Sequence, residues 1–113
     1  MKTGWILCRG DVLASAEMTT TALERARGLL GRRSYDGALL LTRTRSVHTL
    51  GMHFGLDVAF LTRDLVVVAT TRMPRWRISL PRRGGRVVLE AAAGSFERWN
   101  FGVGDQLEFR EAE

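Results

Sequence analysis

The stretch Asp57-Val58-Ala59-Phe60-Leu61-Thr62-Arg63-Asp64-Leu65-Val66-Val67-Val68-Ala69-Thr70-Thr71 decides the fold of this chain. Two runs rich in β-branched and apolar residues flank one charged step, Arg63-Asp64, which leaves room only for a tight turn. The pattern predicts an antiparallel hairpin, with 58–61 and 66–68 as its central paired segments inside strands at 57–62 and 65–71. Working outward, 37–42, 47–50 and 86–92 carry the same strand composition. Near the amino end, 5–9 and 12–18 form a second hairpin turned by Gly10-Asp11. Near the carboxyl end, Gly102-Val103-Gly104-Asp105 turns the chain into a last strand at 106–110.

Helix signals are few. Thr21-Ala22-Leu23-Glu24 matches the capping box, in which the threonine hydroxyl accepts a free helix amide and the glutamate carboxylate accepts the cap amide. A helix starting there places Leu23, Ala26 and Leu30 on one face, with Leu29 beside them, and Gly31 at the left-handed closing position. Ser95 is placed to cap a last helical turn running to Asn100. Strands dominate, so the predicted class is α+β: a curved or barrel-like, mostly antiparallel sheet with one or two short helices packed on it. Leu30, Phe60, Val67, Leu89 and Leu107 lie on the apolar faces of their elements and are expected to be buried together.

With 113 residues, 45% of them apolar and 26% charged, the chain suits one hydrophobic core and is far from a disordered composition. One domain spanning 1–113 is expected. Cys8 is the single cysteine, so neither an internal disulfide nor a Cys-x-x-Cys zinc site can form. Its apolar setting, Trp5-Ile6-Leu7, predicts a buried thiol. No metal and no cofactor are expected. Arg9 and Asp11 interrupt the first apolar run and Arg63 and Asp64 break the longest apolar region, which leads to the expectation of a cytoplasmic protein without a membrane segment. The 17 Lys and Arg against 12 Asp and Glu give a formal charge of +5, and Lys2 is the single lysine. Arginine in place of lysine throughout reads as a genome rich in G and C more readily than as a phosphate-binding surface. Bulk charge therefore does not establish nucleic-acid binding.

Three separated motifs stand out: Arg25-Ala26-Arg27-Gly28-Leu29-Leu30-Gly31-Arg32, then His48-Thr49-Leu50-Gly51-Met52-His53-Phe54-Gly55-Leu56-Asp57, then Val88-Leu89-Glu90-Ala91-Ala92-Ala93-Gly94. In this order, and with Gly104-Asp105 following, they resemble the domain of unknown function 192 family over roughly residues 17–109. The resemblance implies a compact β-rich domain and no particular activity, because the family has no established reaction. The second motif departs from the usual form of the family, which has Phe-Trp-Met, Lys-Asn and a proline before Leu-Asp. This chain has Val47-His48-Thr49, Leu50-Gly51 and Gly55 there.

The chemistry-bearing residues give three candidate readings. His48 and His53 lie five apart, on opposite faces of a strand, which opposes joint metal ligation. Ser46, His48 and Asp57 supply the residue types of a nucleophile, a base and its orienting acid, but no Gly-x-Ser-x-Gly elbow presents the serine. Asp57 opens an apolar strand and is expected to pair with an arginine of the first motif, Arg27 before Arg25. Glu90 interrupts another apolar strand and is expected to pair with an arginine likewise. A polar pocket in which Arg27, His48 and Asp57 converge would bind a small ligand. Residues 72–86 gather Arg75, Trp76, Arg77, Arg82 and Arg83, a composition suited to stacking on and neutralising single-stranded nucleic acid. The two prolines and two glycines of that segment favour instead a long exposed loop with a solvated face, so nucleic-acid binding is not the expectation. The reading preferred is a binding or accessory module for a small ligand or partner protein, and not an enzyme. The alternatives are an enzyme with a pocket near His48 and Asp57, and a nucleic-acid binder acting through residues 72–86.

Overall fold

The computed structural model describes residues 1–113. Its elements in chain order are β1 (Lys2–Cys8), β2 (Asp11–Met18), α1 (Ala22–Arg27), β3 (Ala38–Leu41), β4 (Val47–His48), β5 (Leu56–Leu61), β6 (Val67–Met73), β7 (Ile78–Ser79), β8 (Val87–Ala92), α2 (Ser95–Trp99) and β9 (Leu107–Glu111). Seven strands form one mixed sheet in the order β6-β5-β8-β3-β2-β1-β9, and β4 pairs with β7 in a separate ribbon. Within the large sheet every pairing is antiparallel except that of β2 with β3, the two strands that α1 connects. The sheet curves until its outer strands meet at one corner. There Val66 bridges Gln106 and the Leu107 amide donates to the Leu65 carbonyl at 2.8 Å, but the sheet is not closed into a barrel.

The hairpin that organises the sequence is present, with one change. Leu65 was expected to begin a strand, but it adopts φ 67° in the turn, so β6 starts at Val67 and a bulge separates Phe60 from Leu61 in the register. Successive side chains of a strand point to opposite faces, and here both faces are covered. Ile6, Ala59, Leu61, Val67, Leu89 and Leu107 pack on one face. Leu39, Leu41, Leu56, Val58, Phe60 and Val88 pack on the other, with Leu29 and Met52 brought in by loops. The expectation of one shared cluster is thus corrected, since Phe60 lies across the sheet from Val67, Leu89 and Leu107.

The first helix also ends sooner than its sequence pattern suggests. The capping box forms as expected: the Glu24 amide donates to Thr21 Oγ1 at 3.1 Å, and Glu24 Oε1 accepts the Thr21 amide at 3.2 Å. Bonds from the Thr20 amide and from the terminal ammonium hold the Glu24 carboxyl down at about 2. Gly28 then ends the helix with φ 52°, a conformation that costs a side-chain-bearing residue more than glycine. Six residues are too few to lay down a buried stripe. Leu23 is therefore 79% exposed, and Leu29, not Leu30, is the residue that inserts into the core. Ser95 is the first residue of α2 and not its cap, a role supplied from elsewhere in the sheet. Cys8 is buried as expected, and that burial raises its thiol pKa.

Candidate functional site

The loops after α1, β3 and β4 cover the second face of the sheet and, with the strands beneath them, line a cleft of about 190 Å³. The chain leaving α1 contributes Arg25, Arg27, Gly28, Leu29 and Leu30. The segment around β4 contributes Ser46, Val47, His48 and Met52, and β5 and β8 contribute Leu56 and Glu90. All three motifs recognised in the sequence therefore meet here.

The register of β8 explains why Glu90 is in this cleft. It stands opposite Leu39 of β3 and Val58 of β5, both members of the second apolar cluster, so its carboxyl enters the same layer. Glu90 is 4% exposed and its Oε1 has no hydrogen-bond partner. The arginine expected to pair with it is absent. Arg27 instead sends Nε to the Leu30 carbonyl at 3.4 Å, along its own turn. Burial alone pushes the Glu90 carboxyl up to about 7, because a charged oxygen in an apolar layer loses hydration that nothing replaces. Gly28 lies over this group, and a Cβ at that position would stand 3.4 Å from Glu90 Oε1. Apolar walls, a carboxyl without a partner and cationic side chains within one recess are the features of a small-ligand site.

His48 is exposed and lines the cleft; its Nδ1 accepts the Leu50 amide at 3.2 Å, which places the proton of the neutral ring on Nε2. Arg27 and His48 are therefore brought to the same recess. Asp57 is not. Leu56, Val58 and Phe60 occupy the cleft face, so Asp57 points to the opposite face, where it is 3% exposed and fully engaged. Its Oδ1 accepts Arg72 Nε at 3.0 Å, and its Oδ2 accepts the amides of Gly94 at 2.8 Å and Phe96 at 3.1 Å. The arginine partner is thus Arg72 and not Arg27. Arg72 stands directly opposite Asp57 in the β5–β6 register, and the carboxylate caps α2 from a neighbouring strand.

The basic segment is more organised than the long loop expected from its composition. Arg72 and Met73 finish β6, and Ile78 and Ser79 form β7. Between them, Thr49 ties the turn down: its hydroxyl donates to the Pro74 carbonyl at 2.6 Å, and its carbonyl accepts the Trp76 amide at 3.0 Å. Arg75 donates to the Met52 carbonyl at 2.8 Å, and the Arg82 guanidinium lies 5.4 Å from the centre of the Phe60 ring. All five basic-segment candidates are exposed, although Arg75, Arg77 and Arg82 also make contacts within the protein. No three His, Cys, Asp or Glu side chains are grouped as for a metal ion, and no helix is long and apolar enough to cross a membrane.

Glu90 and Gly28 are the residues that sequence reasoning did not assign to a site. The signal in the sequence is an acidic residue inside an apolar strand, a pattern that an ion pair would produce as well. Fold and cleft together define an α+β protein whose curved mixed sheet carries, under its covering loops, a small recess around a buried carboxyl. The chain belongs to the DUF192 family, uncharacterized ACR, whose pattern matches residues 6–109. It is similar to a UPF0127 protein of Pyrococcus furiosus, 38% identical over 64 residues, which are 57% of this chain and 55% of that protein. The chain thus spans about half the length of that relative. Among solved structures, it shares its fold with a protein of unknown function from Novosphingobium aromaticivorans (18% identical, TM-score 0.75, covering 94% of this chain and 83% of that one). It also shares it with a provisionally named transcription regulator from Sinorhizobium meliloti (22% identical, TM-score 0.77, covering 96% and 92%).

Proposed function

We propose that this protein is a binding module that takes a small ligand into the cleft between Gly28, His48 and Glu90, with a donor group of the ligand bonded to the Glu90 carboxyl. The observation that carries this reading is the partnerless Oε1 of Glu90, buried at a point where three loops converge. A buried acceptor left unmade costs free energy, and a ligand hydroxyl or ammonium would remove that cost on binding. The size of the recess, about 190 Å³, is below the range of drug-sized pockets and restricts the ligand to a small metabolite. Arg25, Arg27 and His48 favour an anionic group at the other end of that molecule. A cytoplasmic setting, expected from the sequence, is part of the same proposal.

A panel of small amines, alcohols and hydroxy acids, followed by amide chemical shifts, tests the reading. Supporting ligands move Gly28, Leu29, Met52 and Glu90 together, and Glu90→Gln weakens them by about tenfold or more, the worth of one charge-assisted hydrogen bond. A panel that moves none of these residues, or an affinity indifferent to Glu90→Gln, would sink it. One observation favours a second reading, an enzyme: a carboxyl near 7 is matched to proton transfer at neutral pH. Turnover of a bound panel member, abolished by Glu90→Gln with binding retained, would select that reading.

A further inference from the structure

The opposite kind of site occurs at one end of the large sheet. β3 ends at Leu41, β5 ends at Leu61 and β8 begins at Val87; these strands are neighbours, and β8 runs antiparallel to both, so three connections emerge side by side. The turn after β3 carries Arg43 and Arg45, the hairpin tip after β5 carries Arg63, and the approach to β8 carries Arg86. Backbone bonds hold the connections together: the Thr44 amide donates to the Arg86 carbonyl at 3.0 Å, and the Arg86 amide to the Leu61 carbonyl at 2.8 Å. The four arginines, with Thr42 and Val87, line an open basin of about 700 Å³.

The lining of the basin is one-sided in charge. Unpaired arginines occur elsewhere on the surface too, but here four of them, none with a carboxylate within ion-pair distance, line one basin. No Asp or Glu lines the basin; the nearest acid in sequence, Asp64, is on the hairpin tip beside Arg63, and its backbone carbonyl accepts Gln106 Nε2. Four like charges drawn from three separate connections repel one another, and a multivalent anion is the species that offsets this repulsion. Guanidinium forks match phosphate oxygens in pairs. No aromatic side chain lines the basin, so it offers nothing on which a base could stack, and Trp76 belongs to the turn that Thr49 ties down, elsewhere on the surface.

We propose that Arg43, Arg45, Arg63 and Arg86 form a binding site for a compact polyphosphate group, separate from the Glu90 cleft and recognising the anion by its charge and oxygens alone. Binding there is independent of whether the cleft takes a ligand. Because the basin holds phosphates and no base, free tripolyphosphate and a nucleoside triphosphate should bind alike, and orthophosphate should bind far more weakly.

The test titrates sodium tripolyphosphate into the full chain at physiological salt, followed by calorimetry and by arginine Nε–H chemical shifts. The variant R43Q/R45Q/R63Q removes three exposed guanidinium groups that make no hydrogen bond within the protein. The matched control R33Q/R77Q/R83Q removes three exposed charges elsewhere. The expected result is saturable binding that shifts the basin arginines, falls about tenfold or more in the first variant, and changes less than about twofold in the control, since each tenfold step is 1.4 kcal/mol of lost contact. Equal losses in the two variants would reduce the effect to net charge and overturn the site. So would the absence of saturable binding, a nucleoside triphosphate that binds far more tightly than tripolyphosphate, or a single-stranded oligonucleotide that binds more tightly still and depends on Trp76. The basin variant should unfold at the same denaturant concentration as the parent; a parent-like unfolding midpoint with parent-like tripolyphosphate affinity also overturns the proposal.

Discussion

Asp57 and Glu90 are both buried acids on adjacent strands, one register step apart, since Glu90 stands opposite Val58. Their situations are opposite. Asp57 faces the side where α2 docks and accepts three donors, two of them backbone amides that would otherwise be unpaired at a helix start. Glu90 faces the side covered by loops, and its Oε1 accepts none. The difference teaches that burial of an acid in a strand carries no functional meaning until its hydrogen bonds are counted. A satisfied carboxylate joins elements together; an unsatisfied one at the edge of a recess leaves an acceptor free.

The largest expected effect is on the satisfied member. Asp57→Ala leaves the Gly94 and Phe96 amides and the Arg72 guanidinium without their acceptor, and should cost about 3 kcal/mol or more in urea unfolding. Asp57→Asn, which keeps the shape, should cost about 1 to 3 kcal/mol. Arg72→Gln should cost clearly less than Asp57→Asn, because that side chain is 51% exposed and water screens the pair. Non-additivity of the Asp57 and Arg72 changes would confirm a shared bond, and strict additivity would break it.

The unsatisfied member should respond with the opposite sign. A carboxyl that titrates at about 7 when folded, against an ordinary 4.5, keeps its proton in the folded state after the unfolded chain has lost it. Its contribution is therefore favourable below about 4.5, declines as pH rises through about 7, and is an unfavourable term above that. The full span is on the order of 3 kcal/mol. Glu90→Gln removes the titration while keeping the shape, so it should raise stability by about 3 kcal/mol at high pH and change little in acid. Urea midpoints of parent and variant across that pH range check this; parallel curves would show that Glu90 is solvated or paired after all.

Much of the β5–β6 hairpin, the capping box at Thr21 and the strands around them was legible because each rests on contacts between near neighbours in sequence. The partner of Asp57 was not legible, for a specific reason. Counting back from the Leu61–Val67 pair without a break would set Thr71 opposite Asp57, and only the bulge between Phe60 and Leu61 moves Arg72 into that place. Nothing in the side chains announces the bulge. The end of α1 was missed because a glycine stands at both 28 and 31, and local pattern alone does not say which one closes the helix. The proximity of Gly28 to Glu90 is a matter of tertiary packing across residues far apart in sequence, which periodicity does not encode.

A smaller effect probes the wall of the cleft. Gly28→Ala must hold a Cβ at φ 52° and place it 3.4 Å from Glu90 Oε1. The backbone term alone should cost about 1 to 2 kcal/mol. The added carbon should also narrow the recess, so fragments that move Gly28 and Glu90 in the parent should no longer do so. Retention of both stability and fragment binding would place the glycine outside the site.

The smallest expected effect is that of Arg27→Gln, and it separates the two acids most cleanly. Arg27 is exposed, bonds only the Leu30 carbonyl of its own turn at 3.4 Å, and lines the cleft on the face opposite to Asp57. Its removal should alter stability by less than about 0.5 kcal/mol, as for other surface changes away from buried networks. Combined with Asp57→Asn, it should add within about 0.5 kcal/mol, because the sheet lies between the two side chains and they share no partner. The same substitution should nevertheless weaken an anionic fragment bound in the cleft, since it removes one of the two guanidinium groups there. A coupling between Arg27 and Asp57 as large as that between Arg72 and Asp57 would mean that the two faces communicate, and the division of the acids into a structural one and a ligand-facing one would fail.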